Sequence, residues 1–261
     1  MQKKVSLVLG SGGARGITQL GVIKWLTEHG FEVNEVVGCS IGSLVGAAFA
    51  EGRHVELGEW MSRLTKREVF RLMDFSDPRY GFLKGQRVLS TMQEVFQDLP
   101  IENMQMRYAA VATDLTNEED VVFRTGSVYN AIRASIAIPG VFKSVITTDG
   151  RFLVDGGVLN PLPINYVQYR ENIIIAVNLD GNRDLLAPIA YDKLNSISLL
   201  QESYLAMRRK LTQLSIELYK PNYVINVPHN ISGIWDFDRS KFLIERGYEY
   251  AETTLGHLVK K

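Results

Sequence analysis

The sequence has little of what several common classes of protein need. Its one cysteine, Cys39, excludes an internal disulfide and a cysteine-based zinc site, and its four histidines do not pair at the spacing of a histidine-based metal site. The 29 basic residues are balanced by 29 acidic ones, so the charge suggests no nucleic-acid partner. No run approaches the roughly eighteen apolar residues of a membrane span, and the apolar run near the N-terminus is too short for a signal peptide. We expect a cytoplasmic protein, with peripheral membrane contact left open.

The hydrophobic pattern predicts an α/β fold. Short apolar runs at residues 4–9 and 33–38 are typical of buried strands, and each is followed by a helical pattern, at residues 17–29 and 41–50. This alternation predicts a mainly parallel sheet. Further strands are expected at residues 106–113, 120–124, 142–147, 151–154, 172–178 and 223–227. Residues 53–97 are expected to be mostly helical, interrupted by a loop at 77–81. Further helices are expected at residues 127–135, 164–169, 195–219 and 239–259. Since there are no repeats and no clear linker, we expect residues 1–261 to form a single domain.

The five residues Gly38-Cys39-Ser40-Ile41-Gly42 match the pattern G-x-S-x-G between an apolar strand and a small-residue helix. In this pattern a serine stands at a sharp, strained turn, glycines let the backbone pass closely, and the helix N-terminus faces any oxyanion formed there. The alternative is a strand that ends at an N-cap serine. Cys39 is a rival nucleophile, but its position before the turn favours a small, buried apolar role.

The glycine-rich loop at residues 10–16 follows the first strand and opens a helix, and such a loop presents backbone N–H groups that bind anions. A dinucleotide site is disfavoured because Arg15 stands where G-x-G-x-x-G needs its last glycine, and because the second strand lacks a terminal acidic residue. In an oxyanion hole, Gly12 and Gly13 would donate their N–H groups to an intermediate on Ser40. A tight turn without a ligand is the third interpretation.

A serine nucleophile needs a base, and two residues are candidates. His229 follows a predicted strand, as the histidine of an α/β-hydrolase does, but Ser40 comes too early in the chain for that fold. Asp155 also ends a predicted strand, and the two glycines after it admit close approach of another backbone. Taken alone, Asp155 is more typical of an ordinary turn aspartate.

Three motifs, SGGARG, GCSIG and VDGG, occur in this order, and together they resemble the patatin-like phospholipase family in its small bacterial form. The runs LGSGGARGITQLGVIKWL, VVGCSIGSLVGAAFA, RASIAIPGVF and VDGGVLNPLPI carry the resemblance, which fades after about residue 180. The resemblance implies a three-layer α/β/α sandwich with a mainly parallel sheet and a Ser–Asp dyad without histidine. It assigns Ser40 as nucleophile, Asp155 as base, Gly12 and Gly13 as oxyanion hole, Arg15 as loop anchor, and Gly38 and Gly42 as elbow glycines. One departure is Ser11, which stands at the first glycine of the family's G-G-G run.

The function implied by the resemblance is a serine lipid acyl hydrolase. It would cleave carboxylic esters of phospholipids or lysophospholipids through an acyl-enzyme, with no metal and no cofactor. Asp155 would take the Ser40 proton directly, so burial must raise the pKa of this carboxylate. Two alternatives remain, an acyltransferase in which an alcohol replaces water and a catalytically idle regulatory protein on the same fold. Neither the head-group preference nor the oligomeric state follows from the sequence.

Three further segments bear on access of a lipid to the site. Residues 134–142 are expected to line an acyl channel, because the family has a similar segment near its site. Residues 63–75 mix basic and apolar side chains, and this pattern favours an ordinary amphipathic surface helix over an interfacial lid helix. The basic run at residues 207–210 is expected to be a solvated helix face.

Overall fold

The computed structural model describes residues 3–74, 83–183 and 195–259, so the predicted loop at 77–81 lies outside the described residues. The strands are β1 (Lys4–Leu9), β2 (Glu32–Cys39), β3 (Arg107–Asp114), β4 (Glu119–Phe123), β5 (Val145–Ile146), β6 (Phe152–Asp155), β7 (Ile173–Gly181) and β8 (Tyr223–Pro228). The helices are α1 (Thr18–Glu28), α2 (Ile41–Ala50), α3 (His54–Ser62), α4 (Lys66–Leu72), α5 (Gln86–Met92), α6 (Val128–Ser135), α7 (Ser196–Tyr219) and α8 (Ser240–Leu255).

The strands form one sheet in the order β5-β6-β3-β2-β1-β7-β8, with β4 also paired to β3. The pairs β3-β2, β2-β1, β1-β7 and β7-β8 are parallel, whereas β4, β5 and β6 pair in antiparallel fashion. The predicted mainly parallel sheet is therefore confirmed. Such a sheet must be covered on both faces, which is why its strands are nearly continuous apolar runs.

Alternate residues of the central strands pack into two separate cores. On one face, Leu7 and Val36 belong to a large core with side chains of α1, α2 and α8. On the other face, Val8 and Val37 pack against residues 162–167 and against Ile216 of α7. The result is the predicted three-layer α/β/α arrangement.

One predicted helix, residues 164–169, is only a 3₁₀ turn at Ile164–Tyr166. Leu162, Ile164 and Val167 are all buried on the second face of the sheet. A segment that buries a side chain at every second or third position lies flat on the sheet and does not form a regular α-helix. The helical interpretation of this segment was therefore wrong.

The register of β3 brings two distant strand ends together. Cys39, the last residue of β2, is the partner of Val111, and Asp155, the last residue of β6, is the partner of Ala112. Because Val111 and Ala112 are consecutive, the residue after Cys39 must lie close to Asp155.

The helices α1 and α8 cross where each carries a glycine. A Cβ atom at Gly247 of α8 would lie 1.9 Å from the carbonyl oxygen of Thr18, and one at Gly21 of α1 would lie 2.0 Å from that of Ile244. The two backbones are therefore in direct contact, and no larger residue fits without moving a helix.

We predict that Gly247→Ala lowers the free energy of unfolding by about 1–3 kcal/mol, because the methyl group overpacks this crossing. Gly58→Ala in α3 is the matched control, since the nearest atom to its added Cβ would be 3.8 Å away. Both glycine-to-alanine changes gain about 1 kcal/mol from helix propensity. The difference between the unfolding free energies of the two variants therefore reports the contact between α1 and α8 alone. Denaturant titration measures both values, and equal stability of the two variants would contradict the packing argument.

Candidate active site

Ser40 is the single residue between the end of β2 and the start of α2, and its backbone is strained. Its φ of 55° and ψ of −125° lie outside the regions that a non-glycine residue prefers, at a cost of order 1–3 kcal/mol. Hydrogen bonds hold it there. The Ser40 N–H donates to Ser135 Oγ (2.8 Å), and the Ser135 hydroxyl in turn donates to Val111 O (2.6 Å). The Ser40 carbonyl accepts hydrogen bonds from the Ser43 N–H (2.8 Å) and the Ser43 hydroxyl (2.6 Å).

The glycines on either side of Ser40 allow three backbones to touch. A Cβ atom at Gly38 would lie 2.3 Å from the carbonyl oxygen of Gly42, and one at Gly42 would lie 2.2 Å from that of Leu9. The strand β2, the first turn of α2 and the end of β1 therefore meet directly behind Ser40.

The structure brings Asp155 against Ser40, 115 positions away in the sequence. The Ser40 hydroxyl donates a hydrogen bond to Asp155 Oδ2, and the Gly157 N–H donates to Asp155 Oδ1 at 2.7 Å. Both side chains are almost fully buried. Burial raises the pKa of Asp155, while the hydrogen bond from Ser40 and the positive charge of Arg208 oppose this rise.

The glycine-rich loop presents two N–H groups without an acceptor. Gly10, Ser11 and Ala14 donate their N–H groups to carbonyl oxygens of other segments. Among the described residues, no acceptor is found for the N–H groups of Gly12 and Gly13, and both residues line the same cavity as Ser40. Ser11, the departure from the family's glycine run, donates its N–H to Pro161 O (2.9 Å), so this N–H is already used.

Two arginines hold the carbonyl groups of this loop. Arg15 Nε donates to Gly12 O (3.0 Å), and Arg208 Nη2 donates to Ser11 O (2.9 Å). The carboxylate of Asp180 lies between the two guanidinium groups, 2.9 Å from Arg208 Nη2 and 3.8 Å from Arg15 Nη2. Burial lowers the pKa of Arg15 to about 10 although Asp180 opposes it, so Arg15 remains charged at neutral pH.

The position of Arg208 corrects the sequence prediction for residues 207–210. Arg208 is buried, whereas its neighbours Met207 and Lys210 are exposed. The solvated face of α7 therefore excludes Arg208, which turns inward because Asp180 and the Ser11 carbonyl supply partners for its charge.

The structure does not bring His229 into the cavity. Its ring Nδ1 is 2.9 Å from Gly181 O, and its backbone carbonyl accepts a hydrogen bond from Arg15. His229 is absent from the described residues that line the cavity around Ser40. Within residues 3–74, 83–183 and 195–259, no three histidine, cysteine, aspartate or glutamate side chains are grouped so that they could hold a metal ion.

A cavity of about 840 Å³ opens in front of Ser40. Its polar side chains are Ser40, Asp155 and a few groups of the glycine loop and α7, and the rest of its wall is largely apolar. Of the segment 134–142 that was expected to line an acyl channel, Ile136 and residues 138–142 line the cavity, and Ala134, Ser135 and Ala137 do not. The apolar residues Val69 and Leu72 of α4 also line it, so α4 is part of the cavity wall and not merely a surface helix.

The family pattern described as Patatin-like phospholipase matches residues 7–167, which include the glycine loop, the elbow and Asp155. This chain belongs to the patatin-like phospholipase family. An uncharacterized NTE family protein of Mycobacterium tuberculosis is 42% identical over 180 residues, 69% of this chain and 50% of that protein. Patatin-like phospholipase domain-containing protein 7 of Rattus norvegicus is 33% identical over 187 residues, 69% of this chain and 14% of that protein.

Among solved structures, VipD from Legionella pneumophila shares the fold of this patatin-like chain. The TM-score is 0.53 at 14% identity, and the match covers 97% of this chain and 66% of VipD. The chain spans half the length of its mycobacterial relative.

The sequence interpretation missed Tyr204 and Arg208, which line the cavity, and Asp180, which pairs with Arg208. They lie beyond the 7–167 match to the patatin-like family pattern. Asp180 had a usable signal, because it is the second-last residue of the apolar strand β7, whose end lies beside the glycine loop, where parallel sheets place their functional residues. Nothing in the local pattern of α7 distinguishes Arg208 from the other basic residues of that helix.

We predict that the Cys39 thiol is unreactive in the folded protein. Its side chain is fully buried, and burial together with the nearby charge of Asp155 raises its pKa well above 9. A colorimetric disulfide reagent at mildly alkaline pH is expected to detect no thiol in the native chain and one thiol per chain in denaturant. Rapid native reaction would contradict this and would restore Cys39 as a rival nucleophile.

Proposed function

We propose that this chain is a serine lipid acyl hydrolase that cleaves carboxylic esters of phospholipids or lysophospholipids. The observation that carries the proposal is the hydrogen bond from the Ser40 hydroxyl to the buried Asp155 carboxylate at the wall of an apolar cavity. No other base contacts the Ser40 hydroxyl among the described residues. Membership of the patatin-like phospholipase family supports a lipid ester as the substrate.

In the first half of the reaction, Asp155 accepts the proton of the Ser40 hydroxyl while Ser40 Oγ attacks the carbonyl carbon of the ester. Burial raises the pKa of Asp155 and makes its carboxylate a better base than one in water. The N–H groups of Gly12 and Gly13 would stabilise the oxyanion, since neither has another acceptor among the described residues. Collapse of the intermediate expels the alcohol, which takes the proton from Asp155, and leaves an acyl group on Ser40.

In the second half, water enters and gives a proton to Asp155 as its oxygen attacks the acyl carbon. The same two N–H groups hold the second oxyanion. When this intermediate collapses, Ser40 Oγ regains the proton and the fatty acid leaves. Each step uses only groups that already lie at the cavity wall, and none requires Ser40 to move from its strained position.

The shape of the cavity supports a substrate with a long apolar chain. A volume of about 840 Å³ exceeds what a short ester needs, and the wall is built mainly from aliphatic and aromatic side chains of α3, α4, α5, α7 and residues 138–142. Burial of each methylene of an acyl chain contributes about 0.8 kcal/mol. We therefore expect long-chain esters to be favoured over short ones.

We predict that Ser40→Ala lowers ester hydrolysis by at least about a thousandfold. Asp155→Asn is expected to be nearly as damaging, because the amide still accepts the hydrogen bond from Ser40 but cannot take its proton. His229→Ala is the control, since its side chain does not line the cavity. Circular dichroism shows whether each variant is folded. If folded His229→Ala is as inactive as Ser40→Ala, the dyad is the wrong assignment.

The first experiment is to expose the wild-type protein to a fluorophosphonate probe and to map the adduct by peptide mass spectrometry. An adduct on Ser40 supports an activated serine, and no adduct on folded protein contradicts the proposal. Hydrolysis measured with and without an acceptor alcohol then distinguishes a hydrolase from an acyltransferase.

We also propose that the mouth of the cavity contacts a lipid surface. Leu200 and Met207 of α7 line the cavity and are nevertheless 72% and 62% exposed, so they form an apolar rim. The helix α4 adds the exposed basic residues Lys66, Arg67 and Arg71. Such a rim and such charges favour an anionic lipid surface. Across the described residues, the structure holds no helix with the length and apolar character needed to span a bilayer.

We predict that Leu200→Ser combined with Met207→Ser weakens sedimentation with vesicles of mixed zwitterionic and anionic phospholipid. Hydrolysis of a short water-soluble ester should change far less, because the dyad is untouched. Leu218→Ser is the matched control, since Leu218 is 69% exposed on the same helix but does not line the cavity. Equal loss of vesicle binding in the control would show that the contact is not centred on the cavity mouth.

A further inference from the structure

Ser11 and Arg208 connect the glycine loop to Asp155 through contacts that the proposed dyad does not explain. Arg208 Nη1 donates to Ser11 Oγ at 3.2 Å, and Arg208 Nη2 donates to the Ser11 carbonyl and to Asp180 Oδ2, both at 2.9 Å. A Cβ atom at Gly157 would lie 2.7 Å from Ser11 Oγ and 2.9 Å from Asp155 Oδ1, so both oxygens rest against the same glycine.

The bond from Arg208 to the Ser11 carbonyl also orients an N–H group. In a trans peptide the C=O and the following N–H point in opposite directions, and no described peptide bond of this chain is cis. Fixing the Ser11 carbonyl on Arg208 therefore turns the Gly12 N–H to the opposite side. In the same way, Arg15 fixes the Gly12 carbonyl and thereby directs the Gly13 N–H.

We propose that Arg208 and Ser11 are positioning residues of the active site. Arg208 aims the Gly12 N–H by holding the Ser11 carbonyl, and its charge, together with the neighbouring Ser11 hydroxyl, favours the ionised form of Asp155. This inference rests on the proposed function, because it assigns to Asp155 the role of base. The inference gives a role to Ser11, which stands where the family has glycine. It also gives a role to the helix α7, which lies beyond the residues that match the family pattern.

The charges that face Asp155 support this role for Arg208. The titratable groups that interact electrostatically with Asp155 are the Cys39 thiol from β2 and the Tyr204 phenol and Arg208 guanidinium from α7. Burial raises the pKa of Cys39 and of Tyr204, so both are neutral near pH 7. Burial lowers the pKa of Arg208, but Asp180, Tyr204 and Asp155 outweigh that effect and hold it above its usual value. Among these groups, Arg208 therefore supplies the positive charge beside Asp155.

The sign of the pH effect follows from these contacts. Asp155 acts as a base only when it is ionised, so activity falls as the pH drops through its pKa. Arg208 and the Ser11 hydroxyl both lower that pKa. Removing either contact therefore raises the pKa of Asp155, and the acid limb of the pH–rate profile moves to higher pH.

The test compares Arg208→Gln, Arg208→Lys and Ser11→Ala with the wild type and with Lys210→Gln, an exposed control on the same helix. The readout is the rate of Ser40 labelling by a fluorophosphonate between about pH 5 and 9, followed by kcat/KM for a water-soluble ester. Labelling needs no knowledge of the natural lipid. Thermal unfolding identifies any variant that does not fold.

For Arg208→Gln we expect both an upward shift of the acid limb and a plateau rate lower by about 10- to 100-fold, as for a misplaced oxyanion donor. Arg208→Lys keeps the charge but not the fork of two donors, so its plateau should fall while its acid limb stays near that of the wild type. Ser11→Ala should shift the limb and leave the plateau, because the carbonyl that Arg208 holds is unchanged. Lys210→Gln should change neither quantity.

An acid limb that stays in place in folded Arg208→Gln and Ser11→Ala would overturn the inference, even if both lose activity, because a purely structural role lowers the plateau alone. If Arg208→Gln does not fold, the two parts of the inference are tested separately. The plateau rate of Arg208→Lys then tests the orientation of the Gly12 N–H, and the acid limb of Ser11→Ala tests the effect on the ionisation of Asp155. If the wild type is not labelled at Ser40 at any pH, the proposed function itself fails, and this outcome is distinct from a failure of the positioning role.

Discussion

The central constraint on this site is a carboxylate that is almost removed from water, although the proposed function needs its charged form. Left alone, buried Asp155 would take up a proton. The Ser40 hydroxyl and the Gly157 N–H stabilise the charged form, and Arg208 adds a positive charge nearby. Arg208 is itself buried and is compensated by Asp180. Because every charge in this series has a partner, the cost of burying the proposed base is partly compensated, and the compensation extends into the glycine loop.

A second constraint is the strained backbone of Ser40, which persists only because its surroundings leave no alternative. The end of β1, the end of β2 and the first turn of α2 touch through glycines, and Ser135 fixes the Ser40 N–H. That N–H is consequently unavailable to an oxyanion. This is a physical reason to assign the oxyanion hole to the glycine loop, where Gly12 and Gly13 have N–H groups without an acceptor among the described residues.

The helix α7 joins the polar site to the apolar cavity and lies beyond the residues that match the family pattern. Arg208 is buried at the polar end of the site, and Leu200 and Met207 line the same cavity while staying exposed at its rim. One element thus borders the proposed catalytic groups and the proposed route for lipid. Since the likeness to VipD shows the fold alone, the roles assigned to α7 rest on its contacts in this chain.

Local patterns along the chain predict the mainly parallel α/β sheet and the elbow around Ser40, because apolar runs, helical periodicity and glycine spacing do not depend on distant residues. The sequence also named Asp155, but only through a resemblance, since a lone aspartate before two glycines is typical of a turn. Only the tertiary structure placed Asp155 beside Ser40, through two consecutive partners on β3, and turned Arg208 inward. Strand register and the burial of one charge depend on partners far away in the chain, and no local pattern encodes them.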